Sequence, residues 1–404
     1  MAGIVVIGGG QAGASAVARL RSGGYDGAVT LIGEEPDPPY QRPPLSKKYL
    51  MGEMEKERLY LRPAAYYAEN DIALVTGAAV TEIDRAGARV IAGGRAYAYD
   101  SLILATGSVP RRLPTAIGGD LAGVHVVRTI EDIDTMAPAM TDGARALIVG
   151  GGYIGLEAAA VAAQRGVSVV LVEMAERILQ RVAAPETADY FRDLHGRHGV
   201  DLREGVGLAR LTEADGRVAG AELSGGSTLE CDLVIVGVGI APATDLAEAA
   251  GLTIDNGIAV DAMGRTSDPA IWAAGDCASF PWRGDRIRLE SVQNAIDQAE
   301  AVADNILGAD TPYDPHPWFW SDQYDVKLQI AGLNTGYDRI VVRPGDREGS
   351  VSHWYYAGAT LLSVDAMNDP RGYMIGKRMI ENGYSPDAAA VADPATNLKA
   401  LLTP

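Results

Sequence analysis

Cysteine and histidine are scarce in this chain of 404 residues. The two cysteines, Cys231 and Cys277, lie far apart in sequence and give no disulfide framework, which fits a reducing compartment. Among the five histidines, His195 and His198 have helical i,i+3 spacing, but no cysteine or acidic cluster accompanies them to complete a metal site. The sequence therefore predicts no metal centre, and it places both histidines in solvent near a helix end.

Positive charge is also in short supply. Lysine and arginine total 35 against 53 aspartates and glutamates, which gives a net charge of −18. Nucleic acids and anionic membranes attract clustered positive charge, so neither is expected as the main partner. The first residues, MAGIVVIGGG, have no basic segment and no small-residue cleavage site, so we expect no secretory signal and a cytoplasmic location.

Long uninterrupted hydrophobic runs are missing as well. The nearest approach, ALIVGGGYIGLEAAAVAAQ at 146–164, contains one charged residue, Glu157. Its four glycines would each weaken a helix centre by about 1 kcal/mol relative to alanine, and a carboxylate in hydrocarbon costs roughly 3 kcal/mol more. The segment is therefore not predicted to span a membrane. A hydrophobic share of 47% and a charged share of 22% are ordinary for a globular protein of two or three domains.

The same segment is predicted instead to be a strand, RALIV, a glycine turn and a helix that starts near Tyr153. Gly150, Gly152 and Gly155 match the pattern G-x-G-x-x-G, which provides a tight turn, close approach of backbone to a pyrophosphate and close packing of helix on strand. The following strand ends at Glu173, where a carboxylate can accept hydrogen bonds from a ribose diol. Together these features predict a dinucleotide site.

A second copy of this pattern lies at the start of the chain. IVVIGGGQAG supplies Gly8, Gly10 and Gly13, and the next predicted strand leads to Glu34. One such match is weak evidence, because glycine-rich strand ends also occur by chance. Two matches, each with its glycines and its terminal acid, predict two bound dinucleotides.

The two units are nested along the chain. We expect one dinucleotide-binding domain over residues 1–113 and 238–315 and a second over 114–237. From 316 to 404 the segments PWFWSDQYDVKLQIAGL and GSVSHWYYAGATLLSVDAM are rich in aromatic and β-branched residues, which is typical of antiparallel strands. The predicted fold is α/β, with two Rossmann-like domains followed by a C-terminal α+β domain.

Several segments together resemble one family from end to end: GGGQAG, PPYQRPPLSK, ATG, GGGYIGLE, RTSDPAIWAAGD and WFWSDQY. They are similar to the FAD-dependent, NADH-linked ferredoxin reductases of oxygenase systems, the putidaredoxin reductase-like family with a glutathione reductase-like fold. The glycine motifs are shared by all two-dinucleotide flavoproteins, whereas RPPLSK with FWSDQ is much narrower. One departure is that Pro242 is followed by Ala243 where the family usually has asparagine. We expect this to alter a loop and not the reaction.

The resemblance implies which residues contact each cofactor. For FAD they are Gly8, Gly10, Ala12, Gly13, Glu34, Arg42, Lys47, Val80, Arg128, Asp276, Val292 and Trp320. For NADH they are Gly150, Gly152, Tyr153, Ile154, Gly155, Glu157, Glu173 and Gly239. Tyr153 either covers the flavin until nicotinamide displaces it or simply packs in the interior.

Lys47 and Glu157 are the catalytic candidates that the resemblance implies. Lys47 would lie beside flavin N5, where an ammonium group can stabilise charge that develops during hydride transfer, and Glu157 would be its partner. The alternatives are that Lys47 is a solvated loop lysine and that Glu157 is an acid favoured by the helix dipole. Arg62 and Lys327 are weaker candidates for docking an acidic partner at the flavin edge, and each is equally compatible with a surface charge.

The chain also lacks cysteine in the early loop, RPPLSKKY, where disulfide reductases and flavin peroxidases carry theirs. Electrons must therefore leave the flavin for an external acceptor, and the resemblance implies a [2Fe-2S] ferredoxin that serves a cytochrome P450 or other oxygenase. Rubredoxin reduction is the enzymatic alternative. An NADH-responsive flavoprotein with slow turnover, similar to apoptosis-inducing factor, is the alternative from another class.

Overall fold

A computed structural model of the chain describes residues 3–402. The strands are β1 Gly3–Ile7, β2 Val29–Ile32, β3 Ile72–Val75, β4 Val80–Asp84, β5 Arg89–Ala92, β6 Arg95–Leu104, β7 Ser108–Pro110, β8 Val124–His125, β9 Arg145–Val149, β10 Ser168–Glu173, β11 Asp201–Glu204, β12 Leu208–Ala214, β13 Arg217–Leu223, β14 Thr228–Glu230, β15 Leu233–Val236, β16 Ile240–Pro242, β17 Ile258–Ala259, β18 Ile271–Ala273, β19 Ala278–Trp282, β20 Asp285–Ile287, β21 Trp318–Gln323, β22 Val326–Gly332, β23 Arg339–Pro344, β24 Val351–Ala357 and β25 Thr360–Met367. The α-helices are α1 Gln11–Ser22, α2 Ala64–Glu69, α3 Ile130–Met136, α4 Tyr153–Gln164, α5 Pro185–Arg197, α6 Asp245–Ala249, α7 Val292–Ile306, α8 Pro370–Glu381 and α9 Ala388–Ala392.

The first of two compact units comprises Met1–Arg42, Glu55–Val109 and Ile240–Pro317. Its parallel sheet has the order β3-β2-β1-β6, with β18 paired to the far side of β6. The N-terminal half of β6 continues into an antiparallel meander with β5 and β4. Helices α1 and α7 pack on each other, and their buried faces cover apolar residues of the sheet. This order, with the crossover helix α1 between β1 and β2, is that of a Rossmann-like domain.

The second unit comprises Pro43–Met54, Pro110–Gly239 and Trp318–Pro404. Its parallel sheet has the order β11-β10-β9-β15-β8, so the arrangement around β9 and α4 repeats that around β1 and α1. A smaller antiparallel sheet, β12-β13-β14, adds an apolar layer. The three central strands β9, β10 and β15 are largely buried because helices and the small sheet cover them, which explains their near-continuous apolar sequences.

The C-terminal part of this unit is an antiparallel sheet with the order β21-β22-β25-β24-β23. Helix α8 packs against it, and Trp354, Val364 and Met379 form the centre of its core. The α+β prediction for this region is confirmed. Together the sheets confirm the predicted fold class.

The apolar segment 146–164 adopts the structure predicted for it. It forms β9, a glycine turn and α4, a helix of 12 residues. Across residues 3–402, none of the helices has both the length and the apolar character that crossing a membrane would require.

The predicted three-domain boundaries remain a prediction. The chain changes unit next to Val109, Gly239 and Pro317, and it does so once more around the short segment Pro43–Met54. Sequence reasoning placed that segment within the first dinucleotide-binding domain. Its grouping with the second unit bears directly on the candidate catalytic lysine.

Candidate dinucleotide sites and the lysine–glutamate pair

The first glycine turn is shaped by close backbone contacts. Gly8 has φ of +120°, and a Cβ there would lie 2.0 Å from the carbonyl oxygen of Ala105. A Cβ at Gly13 would lie 2.0 Å from the carbonyl oxygen of Gly8, so the helix can approach the turn only with glycine here. Gly10 differs, because a Cβ there meets no protein atom within 4 Å. Folding therefore requires Gly8 and Gly13, while Gly10 leaves an open cradle in front of the turn.

Helix α1 begins in this cradle. Its N-cap is Gly10, no side chain caps its first turn, and the first turn contains no acidic residue. Uncapped N–H groups and the helix dipole together favour an anionic ligand. The cradle and the bare helix terminus fit the pyrophosphate of a dinucleotide, as the motif predicted.

The acidic residues after β2 differ in their surroundings. Glu34, the predicted ribose ligand, is exposed, whereas its neighbour Glu35 is partly buried. Arg42 Nη2 donates to Glu35 Oε1 at 2.6 Å, and the Tyr40 hydroxyl donates to the other carboxylate oxygen. The sequence analysis did not identify Glu35 as the partner of Arg42, although the two adjacent acids in the segment GEEP made it a second candidate beside Glu34.

The other predicted FAD contacts of this unit lie in four places. Asp276 follows β18, and the Ser108 hydroxyl donates to its Oδ2 at 2.9 Å. Arg288 Nη1 donates to the backbone oxygen of Asp276 at 3.1 Å, which further fixes this turn. Val80 begins β4 and Val292 begins α7, and both are partly buried. Ala12, the remaining candidate, is buried in the first turn of α1.

The second glycine turn repeats the same contacts. Gly150 has φ of +107°, and a Cβ there would lie 2.4 Å from the carbonyl oxygen of Gly237. A Cβ at Gly155 would lie 2.1 Å from the carbonyl oxygen of Gly150. Gly152 is the N-cap of α4, has no side-chain cap bond, and a Cβ there meets no protein atom within 4 Å. A second open cradle therefore fits a second pyrophosphate.

Glu173 closes this second turn. Its Oε2 accepts a hydrogen bond from the Gly151 N–H at 2.7 Å, and its Oε1 accepts one from the Ala175 N–H at 2.8 Å. The carboxylate is thus held at the end of β10 beside the glycine turn, where the motif places the ribose. It also has a second role, in fixing the turn itself, that the sequence did not indicate.

Tyr153 lies in the first turn of α4 with its ring against Phe319, at a centroid separation of 5.0 Å. Its hydroxyl is buried and has no hydrogen-bond partner in the described part of the chain. Burial raises the pKa of this phenol well above its usual range. The next residue, Ile154, is 43% exposed. The contact with Phe319 supports the interpretation that Tyr153 packs in the interior. The alternative, that Tyr153 covers the flavin until nicotinamide displaces it, stays a prediction.

Lys47 and Glu157 form an ion pair within the second unit. Lys47 Nζ lies 2.6 Å from Glu157 Oε2, and the exposed fractions of the two side chains are 17% and 3%. The Ser46 hydroxyl donates to the same oxygen at 2.6 Å, and the Ser321 hydroxyl donates to Oε1 at 2.7 Å. Glu157 therefore has a cation and two hydroxyl donors. Sequence reasoning missed both serines, although each lies inside a motif, PPLSK or FWSDQ, that carried the family resemblance.

The segment Pro43–Met54 is held to the second unit by more than this pair. Arg165, just after α4, donates from Nη1 to the backbone oxygen of Leu50 at 2.8 Å. The Tyr49 hydroxyl donates to Asp134 Oδ1 at 2.7 Å. A 3-10 helix over Pro43–Ser46 presents Lys47 towards α4. The first alternative, a solvated Lys47, does not fit a side chain that is 17% exposed and ion-paired. The second, a Glu157 placed only to suit the helix dipole, does not account for a buried carboxylate that pairs with a lysine.

Among the remaining nucleotide candidates of this unit, Gly239 and Arg128 make backbone hydrogen bonds and Trp320 makes an aromatic contact. The Gly239 carbonyl accepts from the Arg111 N–H at 2.9 Å, and Gly239 has φ of +102°. The Arg128 N–H donates to Asp132 Oδ2 at 3.1 Å at the start of α3. Trp320, on β21, stacks on Trp318 with ring centroids 5.6 Å apart.

The two docking candidates are exposed. Lys327 lies on β22, and its N–H donates to Asn368 Oδ1 at 2.8 Å. Arg62 lies over the ring of Tyr66, 5.6 Å from its centroid.

The prediction for His195 was wrong. Its side chain is 0% exposed, and Nε2 lies 2.8 Å from Gln323 Oε1. The β21 strand, far away in sequence, covers this face of α5, and the periodicity of α5 alone could not reveal that. His198 is exposed as predicted and stacks on Tyr324 at a centroid separation of 3.7 Å. Among residues 3–402, no cluster of three or more potential metal ligands exists.

Comparison with known proteins decides the family. The model of the pyridine nucleotide-disulphide oxidoreductase family matches residues 2–299, and that of the reductase C-terminal family matches residues 318–402. The chain belongs to the pyridine nucleotide-disulphide oxidoreductase family. The family resemblance recognised in the sequence is thereby confirmed.

Similar proteins match this family member over nearly the whole chain. It is 43% identical to rhodocoxin reductase of Rhodococcus erythropolis over 96% of this chain and 92% of the relative. It is 43% identical to a ferredoxin–NAD(P)+ reductase of a Sphingomonas species over 99% of this chain and 98% of the relative. Among solved structures, the covalent putidaredoxin reductase–putidaredoxin complex contains a chain with 39% identity and a TM-score of 0.95, covering 99% of this chain and 98% of that chain.

Despite the family's name, this disulphide oxidoreductase homologue has no cysteine pair. Cys231 and Cys277 are free and buried, at 1% and 0% exposure. Burial raises the pKa of the Cys231 thiol to about 11 and also raises that of Cys277. A buried thiol with a raised pKa forms little thiolate and is a poor nucleophile. Neither cysteine can therefore relay electrons by thiol–disulfide exchange.

The one departure from the family's motif is accommodated by backbone bonds. The Ala243 N–H donates to the Gly107 carbonyl at 2.9 Å, and the Thr106 hydroxyl donates to the Ala243 carbonyl at 2.7 Å. Neither bond uses the side chain of residue 243. The loop conformation thus requires no asparagine.

Proposed function

We propose that this oxidoreductase takes hydride from NADH onto bound FAD and passes electrons singly to a [2Fe-2S] ferredoxin that serves a cytochrome P450 or other oxygenase. The observation that carries the proposal is the combination of two nucleotide cradles with the absence of any cysteine pair. FAD supplies the conversion, because it accepts two electrons together and releases them one at a time. With no disulfide to reduce internally, the electrons go to an external acceptor.

The names of similar proteins support this choice of acceptor. A ferredoxin–NAD(P)+ reductase is 43% identical, and a putidaredoxin reductase was solved in a covalent complex with putidaredoxin. We assign FAD to the first cradle, at Gly8, Gly10 and Gly13, and NADH to the second, at Gly150, Gly152 and Gly155. Both cradles leave open space at the middle glycine, as a pyrophosphate requires.

Lys47 has the central chemical role in this proposal. Its ammonium group, oriented by Glu157, would lie beside flavin N5 and would stabilise the negative charge that the flavin gains when it accepts hydride. Glu157 keeps Lys47 in place and prevents it from adopting the many rotamers of an exposed lysine. Placement of Lys47 beside the flavin rests on the family resemblance of the PPLSK segment, and the tight ion pair supports a fixed rather than solvated lysine.

Turnover with an acceptor tests the function. We expect the purified protein to contain FAD, and NADH to drive rapid reduction of a [2Fe-2S] ferredoxin under anaerobic conditions, followed at the absorbance bands of the cluster. Faster reduction of a rubredoxin than of ferredoxins would favour the rubredoxin alternative. A long-lived reduced complex with slow turnover for every acceptor would contradict the enzymatic proposal and favour an NADH-responsive flavoprotein.

Glu173 is expected to set the preference for NADH over NADPH. A carboxylate repels the 2′-phosphate of NADPH, so Glu173→Gln should narrow the ratio of kcat/KM values for the two nucleotides by about tenfold, or roughly 1.4 kcal/mol. Glutamine retains an oxygen that can accept from the Gly151 N–H. The matched control is Glu204→Gln at the end of the next strand, where Arg192 pairs with the carboxylate; its ratio should stay within twofold of the parent. Equal use of both nucleotides by the parent protein would refute the assignment.

Lys327 is proposed to help dock the ferredoxin. Because the chain carries a net charge of −18, a local basic patch must overcome repulsion of an acidic partner. Lys327→Glu should raise the KM for ferredoxin several-fold, with an effect that shrinks as salt rises, and leave NADH reduction of ferricyanide unchanged. Arg95→Glu, an equal charge change at an exposed arginine of the first unit, is the control. A parallel loss of both activities in Lys327→Glu would show a structural role instead. Arg62 can be tested in the same way.

We place the protein in the cytoplasm. NADH, the proposed electron donor, is available in that compartment, and both cysteines are free, as is usual for proteins of a reducing compartment.

A further inference from the structure

A line of buried hydrogen bonds leads away from the Lys47–Glu157 pair. Ser321 Oγ donates to Glu157 Oε1, and it also accepts from Gln323 Nε2 at 3.2 Å. A hydroxyl has a single hydrogen, so the bond from Gln323 leaves the Ser321 hydrogen for the carboxylate. Ser321 and Gln323 are two residues apart on β21 and therefore point to the same face of the sheet.

The orientation of Gln323 fixes the next bond. Because its NH2 group donates to Ser321, its Oε1 faces His195 Nε2, 2.8 Å away, and that nitrogen must carry the hydrogen. Burial lowers the pKa of His195 to about 4, so the ring is neutral near neutral pH. Its other nitrogen, Nδ1, then accepts from the Tyr324 hydroxyl, 3.3 Å away.

All donors along this line point in one direction. Tyr324 donates to His195, His195 to Gln323, Gln323 to Ser321, and Ser321 to Glu157. His195, Gln323 and Ser321 are between 0% and 1% exposed, so water cannot replace a lost partner easily. We call His195, Gln323 and Ser321 the donor chain.

We propose that the donor chain positions the carboxylate of Glu157 and, through it, the ammonium group of Lys47 for hydride transfer. The proposal rests on the proposed function, because it deepens the role given there to Lys47. Ser46 and Lys47 both bind Oε2 of Glu157. A contact at Oε1 is therefore needed to stop the carboxylate group from rotating about its Cγ–Cδ bond. Ser321 supplies that constraint, and the rest of the donor chain fixes Ser321. The three residues are positioning residues, since none is assigned a contact with the cofactor.

A second buried polar cluster in the same unit provides a matched control. The Thr187 hydroxyl, also on α5, donates to Asp365 Oδ2 at 2.9 Å and lies 2.7 Å from His353 Nδ1. Like the donor chain, this cluster joins α5 to the C-terminal sheet, and all three residues are nearly fully buried. It contains no hydrogen bond to Glu157. If the loss of a buried hydrogen bond slowed flavin reduction only by destabilising the protein, variants of the donor chain and of the Thr187 cluster should therefore slow it equally.

The first experiment measures anaerobic reduction of bound FAD by NADH in a stopped-flow instrument. We expect Ser321→Ala and Gln323→Glu to slow the limiting rate at least fivefold with little change in the apparent Kd for NADH. Gln323→Glu is nearly isosteric, but it removes the donor to Ser321, so the serine hydroxyl can turn away from Glu157. Ser321→Thr keeps the hydroxyl and should recover a rate within about twofold of the parent. Thr187→Val should lower the melting temperature and leave the limiting rate unchanged.

The second experiment does not depend on enzyme activity. Lysine acetylation with acetic anhydride, followed by peptide mass spectrometry, reports how firmly Lys47 is held, with exposed Lys48 in the same peptide as the internal reference. We expect the labelling rate of Lys47 relative to Lys48 to rise at least threefold in Ser321→Ala and Gln323→Glu. Glu157→Gln serves as the positive control, and Thr187→Val should leave the ratio unchanged.

The outcomes separate this inference from the proposed function. Parent-like flavin reduction and parent-like Lys47 labelling in both Ser321→Ala and Gln323→Glu would overturn the donor chain. Equal slowing by Thr187→Val would also overturn it, because general destabilisation would then explain the effect. If the parent flavin is not reduced by NADH, the proposed function fails, whereas the labelling experiment still decides whether the donor chain holds Lys47.

Discussion

Replacement of Lys47 with alanine is expected to slow anaerobic reduction of FAD by NADH at least tenfold. A tenfold loss corresponds to about 1.4 kcal/mol of transition-state stabilisation, which is a modest share of what one well-placed charge provides in a site shielded from water. Since Lys47 is assigned no contact with NADH, the apparent Kd for NADH should change much less than the limiting rate. Stopped-flow absorbance of the flavin measures both quantities.

The neighbouring residue gives the control. Lys48→Ala removes the same charge from an exposed position one residue away and should leave the limiting rate within twofold of the parent. In Lys47→Ala the Glu157 carboxylate loses its cation while still buried, so the melting temperature should also fall. The double variant Lys47→Ala/Glu157→Gln should recover stability but not the rate. A limiting rate equal to that of the parent in Lys47→Ala would restrict Lys47 to a structural role.

Replacement of Gly152 with alanine is expected to raise the KM for NADH more than tenfold without disturbing the fold. Its φ of −81° suits alanine, and the new Cβ would meet no protein atom within 4 Å. The added methyl group would instead occupy the cradle where the pyrophosphate must contact the backbone. Thermal unfolding and FAD content should match those of the parent, so steady-state kinetics with varied NADH isolates the effect.

Gly155→Ala is the contrasting variant in the same turn. Its Cβ would lie 2.1 Å from the Gly150 carbonyl oxygen, so the helix must shift away from the strand. We expect a clear fall in melting temperature together with weaker NADH binding. If Gly152→Ala bound NADH as the parent does, the second cradle would not be the nucleotide site. The corresponding pair in the first unit tests the FAD site in the same way. Gly10→Ala should lower the FAD content with little change in melting temperature, whereas Gly13→Ala should lower both.

The sequence sufficed where structure depends on near neighbours. Both glycine turns, the start of α4 at Tyr153 and the end of β10 at Glu173 were predicted, because spacing within a β-turn-α unit is fixed by local geometry. The antiparallel C-terminal sheet was also predicted from its aromatic and β-branched composition. Membership of a known family then suggested partners for residues as distant as Lys47 and Glu157.

What the sequence did not provide depends on contacts between distant segments. His195 was expected in solvent, since nothing in α5 indicates that Gln323 of β21 lies against it. Ser46 and Ser321 were overlooked for the same reason, because the role of a serine as a hydrogen-bond donor can be recognised only when its acceptor, here Glu157, is known. Likewise, no pattern within Pro43–Met54 shows that this segment groups with the second unit.

The grouping of Pro43–Met54 with the second unit sets a rule for building chimeras between relatives. An exchange of the contiguous stretch Pro110–Gly239 alone would bring a foreign α4 against a resident Lys47 and a resident Ser321. To keep the ion pair intact, three separate segments must be exchanged together: Pro43–Met54, Pro110–Gly239 and the residues from Trp318 onwards. Recombination libraries with crossovers at these points should therefore yield more coloured, NADH-reducible proteins than libraries that treat the middle third of the gene as a module.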